Sequence, residues 1–129
     1  MSQVTNEARE TLNQFLAAVM SQNLDRILPF FNQEAQMFSP LGIYDARLDG
    51  LAAIGKQFAS IMEVVKSQAG GGLKIEPQDL DVREIAPNAA LITFHLRLPG
   101  PLHRRTFLMT KGANGWRIAH IHASIASPT

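Results

Sequence analysis

The stretch RIAHIHASIA, near the C-terminus, places His120, His122 and Ser124 at every second position. Alternate residues of a strand share one face, so in a strand these three side chains stand together. Two same-face histidines begin a metal ligand set, but a closed site needs a third ligand and the chain has no cysteine. Histidine titrates near neutrality. Either imidazole could therefore act as a general base, given an orienting carboxylate such as Asp45 or Asp49. The plainer alternative is a polar patch in which the histidines bond to each other, to Ser124 or to backbone groups. Arg105 opens the preceding strand and could hold a ligand carboxylate by two parallel hydrogen bonds, or stand solvated at a hairpin. Tyr44, the only tyrosine, could donate to a ligand or lie on the surface. There is no GxSxG, and the run Gly70-Gly71-Gly72 does not join a strand to a helix, so it reads as a linker rather than a phosphate cradle.

Something must position these groups, and the chain divides into helices followed by strands. Ala8, Leu12, Phe15, Leu16 and Val19 recur at helical spacing and predict a first helix over 5–21, with Thr5 as its N-cap. Asn23 caps a shorter second helix bearing Leu24, Ile27, Leu28 and Phe31, which Pro29 ends or kinks. EAQMFSP reads as a short strand centred on Met37. A third helix runs from about Leu51 with Ile54, Phe58, Ile61, Met62 and Val65 on one face, up to the glycine run. The period then changes from 3.6 to 2. LKIEPQDLDVREI is a strand region broken by Pro77, and ALITFHLRL, RRTFLMTK and WRIAHIHASIA form an antiparallel meander. Strict alternation in the last strand puts Trp116, Ile118, His120, His122 and Ser124 on one face and Arg117, Ala119, Ile121, Ala123 and Ile125 on the other. Neither face is strongly polar, which implies helices on one side and a second subunit on the other.

Totals narrow the partners. The 129 residues suit one domain, and 46% apolar composition is ordinary for a globular chain. Twelve basic and eleven acidic residues leave a net charge of +1. The only basic cluster, His103-Arg104-Arg105, is too short for a nucleic-acid footprint. The N-terminus lacks a signal-peptide layout and no apolar run reaches membrane-spanning length. The expectation is a cytoplasmic protein with no membrane or nucleic-acid partner, no metal and no cofactor.

With the elements in this order the chain resembles the nuclear transport factor 2-like, or SnoaL-like, superfamily with its cystatin-like cone. The resemblance rests on an amphipathic first helix, NLDRILPFF followed by EAQMFSPLG, then DGLAAIGKQF, and the closing GWRIAHIHAS. The last run is similar to the branch that includes kinase association domains. The resemblance covers nearly all of the chain. It implies one α+β domain over 1–129, with three N-terminal helices packed in the concave face of a curved, mostly antiparallel sheet. It also implies a pocket between helices and sheet, and a homodimer through the convex face.

Members include ketosteroid isomerases, dehydratases and polyketide cyclases, and also proteins that only bind ligands or scaffold partners, so membership does not give function. Ketosteroid isomerase uses a carboxylate base, with a tyrosine and a protonated acid holding the enolate oxygen. The resemblance puts Phe15 at the tyrosine, Ser39 at the base and Phe107 or Leu108 near the acid. All three groups are missing, so classical isomerase activity is not expected.

The same resemblance turns Phe15, Val19, Phe38, Ser39, Phe58, Met62, Phe94, Arg105, Phe107, Met109, Trp116, Ile118, His120, His122 and Ser124 toward the pocket. His95, Arg97, Arg117 and Ile121 would face the convex side. Three readings stay open: a binder of a small hydrophobic ligand bearing a carbonyl or carboxylate, a lyase, isomerase or hydrolase with His120 or His122 as general base, and an oligomeric association module.

Overall fold

A computed structural model of the chain describes residues 2–40, 47–67, 72–97 and 101–126. Helix α1 (Gln3–Met20) starts earlier than the spacing predicts. Its cap is Ser2 rather than Thr5: the Thr5 backbone N–H donates to Ser2 Oγ at 3.1 Å. Ala8, Leu12, Phe15, Leu16 and Val19 form its buried face. Asn23 caps α2 (Leu24–Ile27), with its side-chain oxygen accepting from the Asp25 N–H at 3.0 Å. Pro29 then falls in a 3₁₀ turn over Leu28–Phe30, where its lost donor and fixed φ are tolerated.

Strand β1 (Phe31–Phe38) follows, then the two-residue β2 (Leu48–Asp49). Gly50, at φ +88°, turns the chain into α3 (Leu51–Ser67) while its N–H donates to the Ala35 carbonyl at 2.8 Å. The remaining strands are β3 (Gln78–Ala86), β4 (Ala89–Arg97), β5 (Leu102–Gly112) and β6 (Gly115–Ala126). The sheet order is β2-β1-β6-β5-β4-β3. Every neighbouring pair is antiparallel except β1 with β6. This is the α+β cone: three helices against one face of a six-stranded, curved, mostly antiparallel sheet.

Helices and sheet meet in one core. Leu12 of α1, Ile54 of α3, Ile92 of β4, Met109 of β5 and Ile118 of β6 are fully buried. Along β4 the alternation is regular, with Ala90, Ile92, Phe94 and Leu96 buried.

Strand β6 departs from strict alternation. Leu108 pairs with His120, but Met109 pairs with Ile118, so Ala119 is one residue more than β5 can match. This β-bulge reverses which parity faces inward. Before it Trp116 and Ile118 are buried, and after it Ile121 and Ala123 are. The expected faces of 120–125 are therefore exchanged. Ile121 and Ala123 turn toward the helices, and His120, His122 and Ser124 turn to the convex face.

Candidate functional site

A cavity of about 170 Å³ lies between the helices and the concave sheet face. Phe15, Leu16 and Val19 of α1 and Phe58 and Ile61 of α3 form one wall. Met37, Phe94, Leu96, Phe107, Ile121 and Ala123 form the sheet wall, and Leu73 and Ile75 close a side. Among the described residues, Ser39 and Arg105 are the only polar ones in the lining. The size is close to that of a cavity that holds one aromatic ring.

Phenylalanines build the wall. Phe15 meets Phe30, Phe31, Phe58 and Phe107 edge-on, with ring centroids 5.8, 5.5, 6.3 and 5.7 Å away. Phe94 leans on Phe107 at 5.5 Å. Such edge-to-face pairs add to area burial and hold the wall in one shape. Ser39 accepts a hydrogen bond from Gln57 Nε2 at 3.3 Å, and Gln57 is itself fully buried on α3.

Arg105 projects from β5 beside Phe107. Among the described residues its one side-chain hydrogen bond runs from Nη1 to the Arg104 carbonyl at 3.1 Å. Among the described residues no carboxylate is paired with it. Burial pulls its pKa below the ordinary arginine value, although a guanidinium stays charged under all ordinary conditions. The sheet thus presents a cation to an apolar cavity.

The residues that the sequence singled out separate into three places. Phe15, Val19, Ser39, Phe58, Phe94, Arg105 and Phe107 line the cavity. Met62, Met109, Trp116 and Ile118 do not line it; they are buried in packed core. Phe38, His120, His122 and Ser124 belong to the opposite face. Phe38 is 38% exposed, and its ring lies 5.9 Å from His120 and 5.2 Å from His122. Ser124 accepts from Arg104 Nε at 3.1 Å. Burial, and then the neighbouring His122, lower the pKa of His120.

The bulge removes both histidines from the cavity, and with them the general-base arrangement that the strand pattern suggested. Asp49 does not orient them either; it pairs with Arg47 at 2.8 Å and accepts from Gln36 at 3.2 Å. Tyr44 and Asp45 lie outside the described residues. Among the described residues no three His, Asp or Glu side chains gather where a metal ion could sit.

Sequence reading missed Ile121 and Ala123 as cavity residues, although a signal for them existed. The apolar parity of the last strand switches from even at Trp116 and Ile118 to odd at Ile121 and Ile125, as an inserted residue requires. A second, wider groove of about 610 Å³ runs outside, between α2, Leu51 and the β5–β6 turn, with Asp25, Asn32 and Arg117 among its lining. No described helix is long and apolar enough to cross a membrane.

The fold has many counterparts among solved structures. A protein of unknown function with a cystatin-like fold from Caulobacter vibrioides superposes with a TM-score of 0.79 at 18% identity, over 98% of this chain and 92% of that one. A nuclear transport factor 2-like protein of unknown function from Pseudomonas putida KT2440 gives 0.76 at 20% identity, over 93% and 84%. A ketosteroid isomerase-like protein from Erwinia carotovora atroseptica gives 0.78 at 14% identity, over 99% and 100%. At these identities the likeness concerns the fold alone. No curated protein matches the chain in sequence. The family model described as a SnoaL-like domain matches residues 8–128, nearly the whole chain, and the protein belongs to that family.

Proposed function

We propose that the chain binds a small, mostly apolar molecule bearing a carboxylate or carbonyl oxygen, in the cavity between helices and sheet. The supporting observation is Arg105, a partly buried cation in a described lining that is apolar apart from Ser39, with no acid beside it among the described residues. Burying a charge is costly unless it is paired, and a carboxylate would pair it by a charge-assisted hydrogen bond. The phenylalanine wall would take the apolar body of the ligand. Acid–base chemistry by His120 or His122 is not part of this reading, because both side chains stand behind the sheet from the cavity.

Benzoate and its neutral isostere benzamide test the reading by calorimetry. Benzoate should bind more tightly than benzamide, and Arg105→Met should remove the difference. A charge-assisted pair contributes about 1.5–3 kcal/mol, so benzoate affinity should fall about 10- to 100-fold. Equal affinity of the natural chain and Arg105→Met for benzoate would sink the reading.

A second reading concerns the convex face. We propose that two copies of the chain associate there. On that face Leu91, Leu108, His120 and Gln36 form one row, and Thr93, Thr106, His122 and Phe38 form the next. Across β1, β6, β5 and β4 neither row holds a Lys, Arg, Asp or Glu, in keeping with the depletion of charge at interface cores; the charges stand at the row ends, Arg83 and Asp81 on β3 and Asp49 on β2.

A further inference from the structure

We infer that His103 and Arg105 form one carboxylate subsite at the end of the cavity nearest the β4–β5 connection, and that it takes up a proton with its ligand. Arg105 holds one carboxylate oxygen, and the His103 Nδ1–H donates to the other. This deepens the proposed acid-binding function and rests on it.

The register brings the two residues together. They are two apart on β5 and share its concave face, about 7 Å apart at Cα. Arg105 lies opposite Phe94 and Ala123, and His103 lies opposite Leu96 and Ile125. Phe94, Leu96, Arg105 and Ala123 all line the cavity. His103 is not itself in the lining; it occupies the next row of the concave face, beside Leu96 and Arg105 at the cavity's edge.

Its state is unusual. His103 is only 7% exposed, and its Nδ1 is buried with no hydrogen-bond partner among the described residues. Native proteins rarely leave such an atom unpaired, and one that stays so calls for an explanation. The subsite thus holds a partly buried cation, a buried orphan ring nitrogen and no described acid. A carboxylate satisfies both.

Charge around the ring decides the proton. Leu96 faces His103 from β4 and Ile125 from β6, both apolar, and Arg105 is the charged neighbour on its own strand. From the helices the cavity wall brings Leu16, Val19 and Ile61, also apolar. Burial first, and the Arg105 charge second, lower the His103 pKa below its ordinary value, so the free site holds a neutral imidazole at neutral pH. A bound carboxylate would cancel the Arg105 charge at the ring and accept from Nδ1–H. Both effects favour imidazolium, so the pKa rises on binding. Coupling is reciprocal: if the ligand draws in a proton, protons draw in the ligand. Affinity then increases as pH falls through the interval between the lowered free value and the raised bound value, and is flat above it.

The test uses the full chain with benzoate, titrated by calorimetry near neutrality in phosphate and in Tris, whose ionisation enthalpies differ. The apparent binding enthalpy should differ between buffers by the equivalent of up to one proton taken up. Affinity should rise by up to about tenfold per pH unit within the linked interval. His103→Gln, which keeps a donor but cannot titrate, should bind benzoate with no uptake and a flat pH profile. Imidazole NMR titration of the natural chain, assigned with His95→Gln, His120→Gln and His122→Gln, gives a readout that does not depend on the folding of His103→Gln. The His103 pKa should rise with benzoate and the other three should stay put. Identical enthalpies in both buffers, an unmoved His103 resonance, or uptake that persists in His103→Gln would overturn the subsite while leaving the Arg105 reading intact. Absence of benzoate binding to the natural chain would overturn both.

Discussion

Glu7 gathers three donors on one carboxylate, at the end of the sheet where the β5–β6 hairpin turns. Trp116 Nε1 donates to Oε1 at 2.7 Å, Lys111 Nζ to the same oxygen at 3.0 Å, and Gln3 Nε2 to Oε2 at 2.8 Å. The bonds from Trp116, then Gln3 and Lys111, hold the Glu7 pKa down at about 2. They tie the N-terminal part of α1 to the end of the hairpin. The folded value lies below the ordinary glutamate value of 4.5, so the native state binds fewer protons than the unfolded chain. Stability from this group is therefore fully present above about pH 4.5 and is lost as pH falls toward about 2. Glu7→Gln should be less stable than the natural chain at neutral pH. The gap should narrow with acid and close near the folded pKa, measured by urea unfolding across pH. A constant gap would show that Glu7 acts through shape rather than charge.

At this scale the sequence was partly legible. Phe15, Phe58, Phe94, Phe107 and Arg105 could be read as cavity wall, because their helices and strands keep a regular period; Phe38 could not, and stands on the other face. His103 was visible only as part of a basic run. The strand splits that run, sending His103 and Arg105 inward and Arg104 outward.

The element that resisted sequence reading most is β6. The order of helices and strands follows from the change of period at the glycine run, and Pro29 and Pro77 mark where elements stop. The helix start moved to Ser2, because cap geometry rather than the apolar stripe sets it. In β6 the period itself changes phase. The notion of two apolar faces came from averaging across Ala119: on either side of it one parity is buried and the other is not. A bulge inserts one unpaired residue and bends the strand, which here brings Ile121 and Ala123 against the cavity.

Paired substitutions test this assignment of faces. Ile121 is 3% exposed, so Ile121→Ala should cost about 2–5 kcal/mol. The cost should fall toward the low end, because the cavity already leaves space beside it. His122 is exposed, so His122→Ala should change stability by no more than about 0.5 kcal/mol. With unbroken alternation the order of the two costs would reverse. Denaturant midpoints of the two variants decide between the arrangements.

At the scale of the whole molecule, the two faces of the sheet differ in what covers them. The concave face is covered by helices except at the cavity. The convex face, away from the helices, exposes Phe38 and partly buried Leu91 and Leu108 at its centre. Its charges sit off that centre: Arg83 pairs with Asp81 at 2.7 Å, and Asp79 with His95 at 3.0 Å. A standard interface covers roughly 800 Å² per partner, about a tenth of the 7515 Å² surface of this chain, and a two-fold axis through these rows would set like against like. Leu108 stands at the centre, flanked by Leu91 and His120. Leu108→Glu leaves the concave core untouched, so a monomer should still fold, but two carboxylates would meet near the axis. Association should also weaken in acid, because burial already disfavours the charged form of His120 and a covering subunit would disfavour it further. Sedimentation at roughly 10 µM should therefore give a dimer for the natural chain near neutrality and a monomer for Leu108→Glu, with unchanged helical circular dichroism. A monomeric natural chain would overturn the association, and a Leu108→Glu that remains dimeric would place the contact elsewhere; either would leave the convex face to water.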